Sequence, residues 1–328
     1  MRTASPLPRA GGAGAACRTG VGREHDGSRI LTPAYGHPSP GGGERAYCPA
    51  LLPCARGARL GWPRCRHSAK PQPMTNTLSF LDRADRPRLV YSYRRAAPER
   101  AGAPTIVFLP GYASDMTGTK ALALDAWAAD TGHAMLRFDY AGCGASGGKF
   151  EDQALADWRD DVLALIDTVV SGPALLVGSS MGGWLALLVA LARPQRVAGI
   201  VGIAAAPDFT MWGFSQEEKM TILTEGRLER ASEYGPEPMV TTRKFWQSGE
   251  GNRVLIGEIA IDCPVRLIQG QNDPDVPWQY ALETAKQLRS DDVQLLLIKD
   301  GDHRLSREGD IALLLQTVGN LLADMARN

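Results

Sequence analysis

From residue 89 onward, short aliphatic runs alternate with longer stretches in which apolar residues recur at helical spacing. This alternation is typical of a mostly parallel sheet, because the chain returns between parallel strands through helices that pack on the sheet. It predicts one α/β domain over residues 74–328, with a mostly parallel central sheet flanked by helices. The expected strands are 89–94, 105–109, 134–139, 174–177, 197–203, 265–268 and 293–298, and the expected helices are 121–129, 154–169, 182–191 and 311–325.

The alternation breaks between residues 208 and 262. A gap of this size is longer than an ordinary connection between elements of a compact domain. We therefore expect a small helical insert over residues 208–262. It would lie over the carboxyl edge of the sheet as a lid.

The first 73 residues differ in composition from the rest of the chain. They hold 11 basic and 3 acidic residues, 10 of the 22 prolines and no apolar periodicity, which predicts a disordered tail. An overextended gene model with its true start at Met74 is the interpretation that we favour. A basic, acid-poor organelle transit peptide is the alternative. Four cysteines of this segment lack CxxC pairs and zinc-ligand spacing, so no metal site is expected from Cys17, Cys48, Cys54 and Cys65.

Charge and hydropathy argue against several classes of function. The whole chain has 36 basic and 36 acidic residues, so no overall field would attract nucleic acid. No run reaches the roughly 18 apolar residues of a membrane span. The domain itself holds Cys143 and Cys263, too few for a disulfide framework. We expect a cytoplasmic domain unless the first 73 residues direct it elsewhere.

Residues 178–182 read Gly-Ser-Ser-Met-Gly between a predicted strand and a predicted helix. This is the G-x-S-x-G pattern in the strand-to-helix context that it requires. Larger side chains two residues either side of the nucleophile would collide with the neighbouring strand and helix, so the spacing selects Ser180 over Ser179. A glycine-rich turn with only a packing role has the same letters. The assignment of Ser180 as nucleophile therefore depends on its partners.

A serine hydroxyl needs an adjacent base, and few histidines qualify. Three lie in the first 73 residues, and His133 precedes a predicted strand, which puts it at the opposite edge of the sheet. His303 follows the last predicted strand, where a loop at the carboxyl edge is expected. His303 is therefore the predicted base.

The acid is expected after the penultimate strand, because the triad runs serine, acid, histidine along a chain of this type. Two carboxylates follow that strand, Asp273 and Asp275. Asp273 is preferred because it leaves the strand first, and Asp275 is the alternative. The acid would hold the imidazole tautomer and stabilise the imidazolium.

Two backbone N–H groups are expected to face the developing negative charge. One belongs to Met181, directly after the nucleophile, and the other to Tyr112 in the loop after strand 105–109. A separate turn at 142–147 matches the dinucleotide pattern G-x-G-x-x-G. Its next helix begins too late to receive a pyrophosphate, so we expect a structural turn and no such cofactor.

Together these segments resemble the family of α/β hydrolase domain-containing protein 10, a mitochondrial palmitoyl-protein thioesterase and acyl-glucuronide esterase with bacterial relatives. The resemblance runs from about residue 89 to the C-terminus. Its motifs are Pro110-Gly111-Tyr112, residues 118–123 (GTKALA), Arg137-Phe138-Asp139-Tyr140, residues 178–184 (GSSMGGW), Val276-Pro277-Trp278 and Asp302-His303-Arg304. Gln269 departs from the family, in which a histidine is common at this place.

The resemblance implies the α/β-hydrolase fold, a triad of Ser180, Asp273 and His303, and a small-molecule or protein-linked acyl substrate. It implies no metal and no cofactor. A bacterial member would be cytoplasmic, whereas a mitochondrial member would use residues 1–73 as a transit peptide.

We therefore predict a serine hydrolase that cleaves acyl esters or thioesters through an acyl-enzyme on Ser180. The alternatives are another hydrolase on this fold, such as a lactonase or a C–C hydrolase, and a non-catalytic binding protein. The substrate-binding residues are not assigned. Six apolar residues of the insert could line an acyl pocket or form the insert's own core: Phe209, Met211, Trp212, Phe214, Phe245 and Trp246.

Overall fold

The aliphatic runs of the sequence form strands, and helices connect them. The structure, a computed structural model, describes residues 77–232 and 238–327. Its strands are β1 (Ser79–Arg83), β2 (Arg86–Arg94), β3 (Thr105–Leu109), β4 (Met135–Phe138), β5 (Ala174–Ser179), β6 (Val197–Ile203), β7 (Arg227–Arg230), β8 (Met239–Thr242), β9 (Val265–Gly270) and β10 (Val293–Ile298). Its α-helices are α1 (Thr119–Thr131), α2 (Leu155–Thr168), α3 (Met181–Ala192), α4 (Phe209–Trp212), α5 (Gln216–Glu225), α6 (Arg243–Gly251), α7 (Gln279–Gln287) and α8 (Glu308–Met325). The predicted tail at 1–73 and the predicted start at Met74 lie outside the described residues.

Eight of the strands form one sheet in the order β1-β2-β4-β3-β5-β6-β9-β10. β2 pairs antiparallel with both β1 and β4, and every pair from β4 to β10 is parallel. The prediction of a mostly parallel sheet flanked by helices is confirmed. The chain leaves β3 toward one edge of the sheet and β5 toward the other. Open α/β sheets bind ligands beyond the carboxyl ends of strands at such a reversal, so the loops after β3 and β5 mark the candidate site.

Helices cover both faces of this sheet. Along β3, Val107 and Leu109 pack in the core cluster that includes α2 and α3, whereas Ile106 and Phe108 pack with α1 and α8. Strands buried on both faces need apolar residues at every position, which is why they are continuous aliphatic runs in the sequence. Helix α3 buries ten of its twelve residues, as its apolar sequence predicts.

Outside the insert, the sequence pattern missed the strand β1 and the helix α7. β1 pairs antiparallel with β2 at the edge of the sheet, and its side chains are alternately half-buried and exposed. Helix α7 buries only Ala281 and Thr284. β1 has five residues and α7 has nine, and neither contains a long apolar run, so neither stands out in the sequence.

The insert between β6 and β9 contains more than helices. Its helices are α4, α5 and α6, as expected in kind, but β7 and β8 add an antiparallel pair in which Leu228 lies opposite Thr241. The prediction of a small helical insert did not include these two strands. β7 has the sequence Arg-Leu-Glu-Arg, which is too short and too charged to predict a strand.

A buried carboxylate holds the two ends of the insert together. Asp208 lies at the start of the insert and is 1% exposed. Its two oxygens accept the backbone N–H groups of Val254 and Leu255, each at 2.8 Å. Among the described helices, none combines the length and the apolar character needed to cross a membrane.

Candidate active site

Ser180 lies at the sharp turn between β5 and α3. Its backbone has φ 53° and ψ −119°, a left-handed conformation that serine rarely adopts. A Cβ on Gly178 would lie 2.2 Å from the Gly182 carbonyl oxygen, and a Cβ on Gly182 would lie 2.1 Å from the Leu109 carbonyl oxygen. Both contacts are impossible for a side chain, so the turn needs glycine on either side of Ser180, for the steric reason expected.

The structure brings Ser180, His303 and Asp273 into one hydrogen-bonded line. His303 Nε2 is 3.2 Å from Ser180 Oγ, and His303 Nδ1 is 2.9 Å from Asp273 Oδ2. The Asp273 side chain is fully buried, and that of His303 is 15% exposed. With its proton on Nδ1, the imidazole donates to Asp273 and presents a lone pair to the Ser180 hydroxyl. This is the geometry of an activated serine.

The Asp273 carboxylate accepts four hydrogen bonds. Oδ1 accepts the backbone N–H groups of Asp275 and Val276 at 2.9 and 2.8 Å. Oδ2 accepts from His303 and, at 3.0 Å, from Nε2 of Gln269. Burial alone would raise the pKa of Asp273, but the His303 hydrogen bond and the two N–H donors outweigh it and hold this pKa below its ordinary value. The carboxylate is therefore kept ionised.

The alternative acid, Asp275, has a different position. It is exposed, and its backbone N–H donates to Asp273. Asp273, Asp275 and His303 each place a donor atom within 4.8 Å of the others, a spacing that a metal ion could use. His303 Nδ1 and Asp273 Oδ2 bond to each other, and Asp273 Oδ1 accepts two backbone N–H groups, so this cluster fits a proton-transfer site better than a metal site.

The loops that hold Asp273 and His303 approach each other closely. A Cβ on Gly270 would lie 2.2 Å from the Gly301 carbonyl oxygen, which only a glycine permits. The Asn272 N–H donates to the same carbonyl at 3.0 Å. The two loops thus form one unit at the ends of β9 and β10.

Sequence reasoning missed two side chains that support this unit. Gln269 is fully buried and reaches Asp273, whereas in the sequence it stood out only as a departure from a family pattern. Lys120, at the start of α1, donates from Nζ to the Arg304 carbonyl at 2.5 Å, next to His303. Burial lowers the pKa of Lys120 below its ordinary value. No spacing rule links Lys120 with a loop that follows it by more than 180 residues.

The loop after β3 lies against the nucleophile. A Cβ on Gly111 would be 3.5 Å from the Ser180 Cβ, which puts the following residue, Tyr112, beside the site. Met181 begins α3 on the other side, where helix N–H groups point outward. Within the described part of the chain, no backbone or side-chain acceptor takes up the N–H of Tyr112 or of Met181. Both N–H groups therefore stay candidates for the predicted oxyanion contacts.

Three of the six apolar insert residues belong to a core. The rings of Phe209 and Phe245 lie 6.0 and 4.8 Å from that of Tyr112, and Phe245 is 1% exposed. Phe214 packs on Phe209 and beneath the Arg230 guanidinium. For these three rings, the structure favours a role in a packed core over a role in an acyl pocket.

The other three residues are in more open positions. Trp212 stacks on Tyr280 of α7 with ring centroids 4.3 Å apart, Met211 is 37% exposed, and the indole N–H of Trp246 donates to Thr210. These three stay candidates for contact with substrate. The stack of Trp212 on Tyr280 joins the insert to the helix that follows the Asp273 loop.

The glycine-rich turn at 142–147 packs against the domain. A Cβ on Gly142 would lie 2.6 Å from the Lys149 backbone, and one on Gly144 would lie 2.2 Å from the Asp139 carboxylate. That carboxylate in turn accepts the N–H groups of Met116 and Ala145. These contacts give Gly142 and Gly144 a packing role in the turn. The next α-helix begins only at Leu155.

A separate cavity of about 540 Å³ lies among β9, β10 and α8. Its lining includes Arg266, whose guanidinium is paired with Asp292. None of the lining residues belongs to the Ser180 site. The Ser180 site therefore lies outside this cavity.

Known proteins resemble this chain in sequence and in structure. The model of the family described as "Alpha/beta hydrolase family" matches residues 106–312. Human mitochondrial palmitoyl-protein thioesterase ABHD10 is 39% identical over 264 residues, which are 79% of this chain and 82% of that protein.

Two solved structures are also similar. Alpha/beta hydrolase domain-containing protein 10 from mouse matches with a TM-score of 0.70 and 39% identity, covering 76% of this chain and 99% of the mouse chain. A hydrolase from Agrobacterium vitis S4 matches with a TM-score of 0.71 and 41% identity, covering 76% of this chain and 100% of its own. The range matched by the family model, 106–312, includes Ser180, Asp273 and His303.

Proposed function

Because the chain belongs to the alpha/beta hydrolase family, and within it to the family of ABHD10, we propose that it hydrolyses acyl thioesters and esters through an acyl-enzyme on Ser180. The observation that carries this proposal is the hydrogen-bonded line from Ser180 Oγ through His303 to Asp273. A buried carboxylate, a nearly buried imidazole and a hydroxyl in a left-handed turn are arranged for acyl transfer.

In the first step, Ser180 Oγ attacks the acyl carbonyl carbon while His303 Nε2 takes its proton. The imidazolium that forms is stabilised by Asp273, which stays ionised. The N–H groups of Tyr112 and Met181 receive the negative charge on the carbonyl oxygen, and the N-terminus of α3 adds its favourable dipole. The C–S or C–O bond then breaks, and His303 returns the proton to the leaving thiol or alcohol.

In the second step, water attacks the acyl-enzyme. His303 accepts a proton from the water, the same two N–H groups hold the second oxyanion, and Ser180 leaves with the proton that His303 returns. The acyl group departs as a carboxylic acid. Every proton transfer in the cycle passes through Nε2 of His303.

For the substrate we propose a long-chain acyl thioester on a protein or a small molecule. The support comes from the human relative, which is named a palmitoyl-protein thioesterase. Met211, Trp212 and Tyr280 offer apolar surface where the insert meets the Asp273 side of the site.

Labelling with a fluorophosphonate probe tests the nucleophile. We expect the purified chain to be labelled and the Ser180→Ala variant to be unlabelled. Ser179→Ala is the matched control, because it removes the neighbouring hydroxyl and should keep the label. Label retained in Ser180→Ala would overturn the assignment.

A substrate panel then tests the acyl group and the bond. It contains acyl thioesters and p-nitrophenyl esters of increasing chain length, together with lactones. Hydrolysis of palmitoyl thioester with the highest kcat/KM would support the proposal. Turnover of lactones with none of acyl esters or thioesters would point to another hydrolase on this fold.

The compartment depends on residues 1–73. The human relative is named mitochondrial, which supports a transit peptide and weighs against the cytoplasmic expectation, whereas the similar hydrolase from Agrobacterium vitis is bacterial. We propose that residues 1–73 direct the protein to mitochondria. A fluorescent protein fused behind these residues should then be imported by isolated mitochondria and shortened, and its exclusion would leave the domain in the cytoplasm.

A further inference from the structure

Gln269 is the last residue but one of β9 and has no exposed surface. Its amide nitrogen Nε2 is 3.0 Å from Asp273 Oδ2, 3.2 Å from the Gly270 carbonyl oxygen and 3.2 Å from the Val276 carbonyl oxygen. All three neighbours are acceptors, so the orientation of the amide is determined by its surroundings. The Gln269 side chain therefore bonds to Asp273 and to a carbonyl at each end of the loop that holds Asp273.

The other end of the same amide has no partner. Gln269 Oε1 is buried and accepts no hydrogen bond within the described part of the chain. A buried acceptor without a donor is unfavourable, and folding alone does not require one at the end of a strand. An apolar side chain of similar size would avoid that loss, so the amide is retained for its N–H contacts.

We infer that Gln269 is a positioning residue for the reaction: its amide holds the Asp273 carboxylate in the plane that His303 needs. This inference rests on the proposed function. Asp273 Oδ2 receives both the Gln269 amide and the His303 ring, and Oδ1 is held by two backbone N–H groups. Without the amide, Oδ2 would be held by the imidazole alone, and the two could shift together away from Ser180.

The first test replaces Gln269 by methionine, which keeps the volume and removes both N–H groups. We expect kcat per folded protein to fall by about tenfold while KM changes less than about twofold, because the acyl site is untouched. Circular dichroism gives the folded fraction. Unchanged kcat would overturn the inference.

The matched control is Gln287→Met. Gln287 is a second glutamine whose buried Oε1 lacks a partner among the described residues, but its amide bonds to Glu283 at the end of α7, away from the triad. The same chemical change there should leave kcat unaltered. An equal loss of kcat in both variants would mean that the effect is structural and would overturn the inference.

The second test, Gln269→Glu, keeps the shape and makes the contact depend on pH. Two carboxyls about 3 Å apart cannot both ionise readily, so the introduced carboxyl keeps its proton. Its O–H then donates a hydrogen bond to Asp273 in place of the amide N–H. At higher pH it ionises and repels Asp273. We expect kcat near that of the parent at low pH and a new alkaline limb in the pH–rate profile, which Gln287→Glu should lack. A profile with no such limb would overturn the inference.

Ser180→Ala, assayed in parallel, distinguishes a failure of the proposed function from a failure of the role of Gln269. If Ser180→Ala is inactive while both Gln269 variants match the parent, only the role of Gln269 is refuted. If Ser180→Ala remains active, the proposed function itself fails.

Discussion

The hydroxyl of Tyr112 donates a 2.6 Å hydrogen bond to the carbonyl of Val240. Tyr112 lies in the loop after β3 and has the backbone N–H that we propose for the oxyanion hole, while Val240 belongs to β8 of the insert. One residue therefore links the insert to the proposed oxyanion hole. A shift of the insert would therefore move Tyr112 and with it the backbone N–H group.

The Tyr112→Phe variant tests this connection. It keeps the backbone N–H and removes the bond to Val240, so we expect kcat to fall about threefold to tenfold and the free energy of unfolding to fall by about 1 kcal/mol. Tyr93→Phe, a hydroxyl deletion at the edge of the same core cluster, should leave kcat unchanged. Steady-state kinetics and thermal denaturation measure both effects. Parent kcat in Tyr112→Phe would show that the insert does not influence the oxyanion hole.

The two candidate acids can be separated by paired substitutions. Asp273→Asn should lower kcat by about 10⁴-fold, because the imidazole loses the partner that holds its tautomer. Asp275→Asn should stay within about twofold, since Asp275 contributes its backbone N–H, which the substitution keeps. The comparison uses kcat on one ester at saturating concentration. The opposite order would move the acid to Asp275.

The Asp208 carboxylate, which joins the two ends of the insert, should contribute to the stability of the fold. Asp208→Asn turns one acceptor into a donor that faces a backbone N–H group, either that of Val254 or that of Leu255. We expect the free energy of unfolding to fall by about 1–3 kcal/mol. Asp262→Asn, which alters an exposed aspartate paired with Arg289, should change the Tm much less. Equal Tm values for the parent and Asp208→Asn would mean that these two hydrogen bonds do not stabilise the fold.

The loss of stability caused by Asp208→Asn should also depend on pH. Burial raises the pKa of Asp208, although two N–H donors oppose the shift. The unfolded carboxyl has a pKa of about 3.9, so the folded chain binds this proton more readily than the unfolded chain. The resulting stabilisation is complete below about pH 4 and is lost as the pH rises through the folded pKa. The difference in Tm between parent and variant should therefore be larger near pH 4.5 than near pH 7, and a constant difference would contradict this account.

Glycines at the nucleophile turn should not tolerate a methyl group. In Gly182→Ala the new Cβ would lie 2.1 Å from the Leu109 carbonyl oxygen, so we expect a loss of at least about 3 kcal/mol or failure to fold. Gly257→Ala places its Cβ in open space and should change stability by less than about 0.5 kcal/mol. Urea denaturation compares the two. A stable, active Gly182→Ala protein would refute the steric argument.

The sheet was predictable from the sequence because its central strands are buried on both faces. Among these central strands, β3 and β6 have the predicted bounds, and β5 and β9 extend the prediction by two residues at the carboxyl end. The edge strand β10 is only half-buried, and it was predicted with the right bounds because its sequence, Val-Gln-Leu-Leu-Leu-Ile, is mostly aliphatic. The edge strand β1 and the pair β7 and β8 were missed, since half-exposed strands with charged residues do not stand out in the chain.

The proposed triad followed from chain order, because parallel strands deliver Ser180, Asp273 and His303 to one edge of the sheet. The supporting contacts did not follow. The reach of Gln269 to Asp273, of Lys120 to the Arg304 carbonyl and of Tyr112 to Val240 depends on how loops are folded. A side chain that meets a backbone atom of a distant loop leaves no periodic signal in the sequence.

The left-handed backbone of Ser180 means that residue 180 was not chosen for folding. A φ of 53° in a residue other than glycine, asparagine or aspartate is unfavourable by about 1–3 kcal/mol, and glycine would relieve it without changing the turn. A chain optimised for stability alone would place a third glycine between Gly178 and Gly182. Serine at this position therefore makes the fold less stable than glycine would, and the proposed attack by its hydroxyl is a reason to keep it.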